Sequence, residues 1–174
     1  MSASPASPPG PKLTPLTPAH FDTVAKLARE IWLAHYTAII SREQIEYMLG
    51  PRFSAENLGK YVGAHDRWMY VLEVDGAPSG YLSYALSGKP REIKLEQLYL
   101  LPALHGRGIG KYMMGVVEKH ARELGCDTLM LTVNKRNEKA AGVYRASGFR
   151  VREEAVFDIG NGYVMDDYVM EKPI

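Results

Sequence analysis

The sequence predicts a single α/β domain, with a mixed, mostly antiparallel sheet of about six to seven strands and helices on both faces. Three observations carry this. First, 174 residues with 46% hydrophobic content suit one globular domain that can bury a full core. Second, the apolar period is helical through the first third and turns strand-like at Trp68, where three strand segments follow one another. Third, from Glu92 the order reads strand, helix, strand, helix, strand, which implies right-handed crossovers that lay helices on a mixed sheet.

In chain order, "MSASPASPPGP" is rich in Pro, Ser and Ala, cannot build a core, and reads as a flexible tail over 1–11, ahead of one domain over 12–174. "KLTPLT" reads as a short strand. Phe21, Val24, Leu27, Ala28 and Ile31 recur at helical spacing and predict a first amphipathic helix. Ser41 with Gln44 resembles a capping box that opens a second helix, stopped by Gly50-Pro51, and "SAENLGKYV" adds a further helical piece. "WMYVLEV", a turn at Asp75-Gly76, "SGYLSYAL" and "EIKLEQLYLL" predict a three-stranded antiparallel meander ended by Pro102. A helix from Ile109 to Leu124 closed by Gly125, the strand "TLMLTVN", a helix from Asn137 to Ser147 closed by Gly148, and two strands around "IGNGYV" complete the domain.

Composition narrows the functional classes. Lys and Arg total 21 against 20 Asp and Glu, so no excess of basic charge suggests nucleic acid, and a small-molecule partner fits better. The single cysteine, Cys126, excludes an internal disulfide, and the five histidines show no metal-ligand spacing with it, so no metal is expected. No apolar run approaches the ~20 residues of a bilayer span, and the start lacks the features of a secretory signal; a cytoplasmic protein without a membrane partner is the expectation.

The chemistry is concentrated in "LLPALHGRGIGKYMMGVVEKH", where Gly106, Gly108 and Gly110 alternate between a predicted strand and a predicted helix. Glycine lets the main chain approach a ligand closely, and a helix N-terminus carries partial positive charge, so the pattern bares amides for an anion. It is not a Walker loop: Gly110-Lys111 is followed by Tyr112, and His105 stands five before Gly110. It is not a dinucleotide fingerprint, since Lys111 or Met113 falls where the third glycine belongs. Arg107 and Lys111 add formal charge.

"QLYLLPALHGRGIGKYMM" resembles the acyl-coenzyme A loop of the GNAT family of N-acetyltransferases, and "NKRNEKAAGVYRASGF" resembles that family's second signature, with the element order matching over roughly residues 12–172. One departure is His105, where most relatives carry Gln or Arg. The resemblance implies a GNAT fold and acetyl-coenzyme A as co-substrate. It implies pyrophosphate bound by His105, Gly106, Arg107, Gly108, Ile109, Gly110 and Lys111, and a pantetheine arm paired with the main chain of Leu98, Tyr99 and Leu100 like an added strand. Many relatives pair as dimers through their C-terminal strands, so a homodimer is a further expectation.

Period two along "EIKLEQLYLL" puts Lys94, Glu96, Leu98 and Leu100 on one face and Ile93, Leu95, Gln97, Tyr99 and Leu101 on the other, leaving Glu96 alone among leucines. Such a carboxylate could take a proton from an incoming ammonium group, and polyamine acetyltransferases of the family carry a glutamate at the corresponding place; a solvated carboxylate paired with Lys94 is the alternative. Asn137 and Tyr144 lie two helical turns apart on one face. A phenol there can protonate a departing thiolate, and in the family the tyrosine is the usual general acid and the asparagine binds the cofactor's amides; N-capping by Asn137 and core packing of Tyr144 are the competing readings. His120 lies on an apolar helical stripe and reads as packed, whereas His35, Trp32 and Tyr36 could line an acceptor wall, with core packing the default for Trp32. Asp158, Asp166 and Asp167 near the C-terminus could favour a cationic amine, with Asp166 the residue assigned to substrate, or could be a solvated strand edge. The expected activity is direct acetyl transfer from acetyl-coenzyme A to a primary amine such as a diamine or polyamine; a non-catalytic acyl-coenzyme A-binding or sensing module is the alternative. Small polyamine, amino acid, antibiotic-like amine and protein N-terminus all stay open as acceptors.

Overall fold

Seven strands build one sheet whose two faces are buried over the central strands, while edge strands β1 and β6 carry no fully buried residue. The computed structural model describes residues 10–174; most of the predicted tail, residues 1–9, lies outside the described residues. The elements are β1 (Lys12–Pro15), α1 (Phe21–His35), α2 (Arg42–Arg52), α3 (Ala55–Gly59), β2 (Arg67–Val74), β3 (Ala77–Leu86), β4 (Glu92–Leu100), α4 (Ile109–Glu123), β5 (Thr128–Asn134), α5 (Glu138–Ala146), β6 (Arg150–Gly160) and β7 (Tyr163–Pro173). They form a seven-stranded sheet in the order β1-β2-β3-β4-β5-β7-β6. Its one parallel pair among the described residues is β4 with β5, joined by the α4 crossover.

The two faces have separate cores. Val24, Leu27, Ala28, Ile31 and Trp32 of α1, with Ile45 and Leu49 of α2 and Leu58 of α3, pack on Met69, Val71 and Tyr81. On the opposite face Ile109, Met113, Val117 and Ala121 of α4 and Ala141 of α5 pack on Leu72, Leu82, Tyr84, Ile93, Leu95, Leu129 and Leu131. Cys126 is buried at the α4–β5 turn in this second core. His120 is half-buried, its Nδ1 2.9 Å from Tyr84 Oη and its ring edge-on to Trp68, which is the packed role expected of it. No helix is long and apolar enough to cross a membrane.

Three local expectations are corrected. Helix α2 does not stop at Gly50-Pro51 but runs to Arg52. A residue before proline is normally pushed out of the helical region by its own Cβ, and Gly50 has none. The capping box is half formed: Ser41 Oγ accepts from Gln44 N–H, but the Gln44 amide donates to the Val164 carbonyl instead of turning back. The third correction matters most. Strand β4 does not keep strict period two, because Ser83 pairs with Gln97 while Tyr84 pairs with Leu95, so Glu96 is the extra residue of a β-bulge. Ile93 and Leu95 therefore share the α4 face with Leu98 and Leu100, while Gln97 and Tyr99 face α1.

Candidate active site

The parallel pairing of β4 with β5 covers only Glu92–Thr128, Ile93–Leu129 and Lys94–Met130. Beyond Lys94 the two strands part: β5 continues to Asn134 beside β7, while β4 continues through its bulge to Leu100 beside β3. The main chain of Leu98, Tyr99 and Leu100 therefore has no strand on its β5 side, and an extended ligand with amide groups could complete the ladder there. The path of β4 is held from behind by Gly80: a Cβ on that residue would sit 2.2 Å from the Tyr99 carbonyl oxygen.

The glycine loop lies at the end of this opening. Gly106 and Gly108 adopt φ of +77° and +78°, the left-handed region that only glycine enters readily, and a Cβ at either would meet nothing within 4 Å. Gly108 is the N-cap of α4, no side chain caps that first turn, and the turn carries no acidic residue. The leading amides of a 15-residue helix are thus bared, with Arg107 and Lys111 exposed beside them. The ring of His105 points back toward β4, its Nε2 3.3 Å from the Leu100 carbonyl oxygen.

Helix α5 supplies the opposite wall. Asn137 is buried and caps the helix, Oδ1 accepting from Ala140 N–H, while Nδ2 donates to His35 Nε2 at 3.1 Å. That contact makes Nε2 of His35 an acceptor, and burial, then the nearby His105 and Lys139, hold its pKa below the usual histidine value. Tyr144 packs edge-on against Phe149 at 5.6 Å, and burial raises its pKa above the ordinary phenol value. It also lies close enough to Tyr36 and Tyr99 to raise the pKa of both hydroxyls.

Those two phenols form the facing wall. Tyr36 Oη and Tyr99 Oη are 2.5 Å apart; burial pushes Tyr36 up to about 12 and raises Tyr99 as well, so both are neutral hydrogen-bonding groups. Trp32 sits edge-on to Tyr36 and donates from Nε1 to Tyr81 Oη, with the Arg52 guanidinium 5.4 Å above its ring. Trp32 is only 2% exposed and serves as the floor of this wall.

The carboxylates are distributed differently from the sequence expectation. Glu96 is not enclosed by leucines: the bulge leaves it exposed, and Tyr61 Oη donates to its Oε1 at 2.8 Å. Asp166 pairs with Lys135 Nζ at 2.8 Å. Asp167 beside it is buried, and its pKa is raised to about 6, first by burial and then by Asp166, against Lys94 and Lys135. Asp158 accepts from Gly160 N–H in the β6–β7 hairpin. The structure thus gathers Tyr144, Tyr36, Tyr99, His35, Asn137 and His105 near one opening, with Glu96 bonded to Tyr61 on the bulge and Asp166 held by Lys135. Tyr61 and the Tyr99 hydroxyl escaped the sequence reading, since nothing local links Tyr61 to a strand 35 residues on. The bulge had a signal: polar Glu96-Gln97 between Leu95 and Leu98 breaks the alternation. Among the described residues no group of three or more His, Cys, Asp or Glu side chains is placed to hold a metal ion.

Comparison with known proteins agrees with this geometry. Residues 24–149 match the model of the acetyltransferase (GNAT) family. A thialysine N-epsilon-acetyltransferase of Bos taurus is 30% identical over 141 residues, 76% of this chain and 79% of that one. A spermidine N(1)-acetyltransferase of Thermoplasma acidophilum is 26% identical over 155 residues, 87% of this chain and 89% of that one. The crystal structure of PaiA N-acetyltransferase from Thermoplasma acidophilum in complex with coenzyme A superposes with a TM-score of 0.79 over 95% of this chain and 99% of that one, at 24% identity, and so shares the fold. The seven-stranded sheet parted after Lys94, the bared glycine turn of α4 and a family match over most of the chain together make this protein an N-acetyltransferase, a member of the GNAT family.

Proposed function

We propose that the protein transfers an acetyl group from acetyl-coenzyme A to a primary amine, a diamine or polyamine being the favoured acceptor, by direct attack. The observation that carries this reading is the parting of β4 from β5 beside the bared N-terminus of α4. The amides and open φ-positive glycines of residues 106–111, with Arg107 and Lys111, suit a pyrophosphate, and the free β5-side main chain of Leu98, Tyr99 and Leu100 suits the amides of a pantetheine arm. Bound there, acetyl-coenzyme A supplies an activated thioester carbonyl.

The chain's own groups then divide the work. Tyr144 stays a neutral phenol because of its burial, so it offers a proton to a departing sulfur at any physiological pH. Glu96 is open to solvent and can receive, directly or through water, the proton that the acceptor's ammonium must lose before attack. The Tyr36–Tyr99 pair, backed by buried Trp32, gives an aromatic wall beside which a compact cation can rest. The thialysine and spermidine acetyltransferases among the relatives support an aliphatic amine as acceptor. A co-substrate made and used inside cells supports a cytoplasmic location, and the exposed edge strand β6 supports pairing with a second copy. The deciding experiment is coenzyme A release across a panel of polyamines, amino acids, aminoglycoside-type amines and peptide N-termini. Turnover with putrescine or spermidine is expected; acetylation of neutral or acidic acceptors alone sinks the cationic reading, and release with none leaves a binding module.

A further inference from the structure

Adjacent strand residues face opposite sides of a sheet, so Asp166 and Asp167 cannot serve the same site. Asp166 lies on the side of Tyr168, where Lys135 holds its carboxylate and also approaches the Tyr168 ring. Asp167 lies on the other side, in phase with Met165, whose sulfur the Gln44 amide of α2 contacts, and out of phase with Met170 of the α4 core. Its strand partner is Asn134, the last residue of β5, four positions past the point where β4 leaves β5. Asp167 is 6% exposed, and its Oδ1 is fully enclosed with no hydrogen-bond partner. Burying a carboxylate oxygen without a donor costs free energy that folding alone does not return.

We propose that Asp167 is the specificity-determining carboxylate of the acceptor site, receiving the ammonium group of a cationic amine. The inference rests on the amine acetyltransferase reading above. An ammonium ion held at the small part of Asp167 that stays open supplies the bonded counter-charge that the enclosed carboxylate lacks within the fold, and its attraction is strengthened where solvent is excluded. Of the other acids, Asp166 is paired with Lys135, and Glu96, which accepts from Tyr61, is left to take the proton of the reacting amine. The groups facing Asp167 leave room for an added positive charge. Lys94 of β4 and Lys135 act on it at a distance without bonding it, while Asn134 of β5, Ala155 of β6 and Gln44 of α2 carry no charge. Arg136 is committed to the carbonyl oxygens of Ala38 and Ile39. With its pKa near 6, Asp167 is ionised at neutral pH and loses its charge on mild acidification.

The test is the Michaelis constant for putrescine, which stays a dication throughout, measured between pH 5 and 7 in the wild-type enzyme, Asp167→Asn and Asp167→Glu. In the wild type KM for putrescine should rise about tenfold from pH 7 to pH 5, following the ionised fraction of a group of pKa near 6, while KM for acetyl-coenzyme A stays constant. Asp167→Asn should raise the putrescine KM at least tenfold at pH 7, leave kcat within about threefold and abolish the pH dependence, and Asp167→Glu should restore part of the affinity. His35→Gln controls for the half-buried histidine beside Asn137. A putrescine KM within twofold of wild type in Asp167→Asn overturns the inference and leaves the amine reading intact; if that variant does not fold, a flat wild-type KM between pH 5 and 7 overturns it. A wild-type enzyme that acetylates no amine removes both.

Discussion

A buried carboxylate without a donor makes folding depend on pH, and Asp167 does so in a fixed direction. Its folded pKa of about 6 exceeds the usual 3.8, so between about pH 4 and 6 the native state holds a proton that the unfolded chain has released. Stability therefore falls as pH rises through this window and stays low above it. Asp167→Asn should stabilise the protein by about 1–3 kcal/mol at pH 7.5 and by nearly nothing at pH 4, measured by urea unfolding of both proteins at each pH; equal effects at the two values contradict the assignment. At Tyr144 burial acts on an acid that must stay neutral, and a raised phenol pKa keeps it a donor. Tyr144→Phe should lower kcat by about 100-fold with acetyl-coenzyme A affinity unchanged, as removal of a general acid requires. The wild-type kcat profile should show no alkaline limb from this residue below pH ~10. Losses of equal size in kcat and in coenzyme A affinity would instead assign Tyr144 a binding role.

At the scale of elements, β4 carries the site through two departures from a regular strand. The bulge at Glu96 changes which residues face α1, bringing Tyr99 to Tyr36 and exposing Glu96 to Tyr61. The close approach at Gly80 sets the position of Tyr99 and Leu100, because any side chain there collides with backbone at 2.2 and 2.9 Å and no flexible group can yield. Gly80→Ala should therefore cost at least about 2 kcal/mol and weaken acetyl-coenzyme A binding together with stability. Gly108→Ala is a different case: its φ of +78° strains an alanine by about 1–2 kcal/mol, but nothing blocks the methyl group. It should lower coenzyme A affinity with kcat nearly kept, which calorimetry and steady-state kinetics would separate; unchanged affinity would dissociate the loop from cofactor binding.

Across the whole molecule, seven strands flanked by helices leave two edges, β1 and β6. Strand β6 is long and exposes Val156 (65%), on the same face as Val164 (52%) of the adjoining β7, and Phe157 (41%) on the opposite face, an edge with apolar positions that a second copy could cover. Light scattering should find a dimer in the wild type and a monomer in Val156→Lys, and a monomeric wild type refutes the pairing. The elements, their order and the glycine loop were legible in the sequence because each depends on neighbours a few residues away: Phe21 to Ile31 at helical spacing, Asp75-Gly76 at a turn, three glycines before an amphipathic helix. Both GNAT signatures were legible for the same reason. The extent of the β4–β5 parting, the pairing of Glu96 with Tyr61 and the burial of Asp167 beside a paired Asp166 were decided by the tertiary structure alone. Burial and charge partners depend on strand phase and on residues far along the chain, and a single bulged residue in β4 reverses that phase for every position after it.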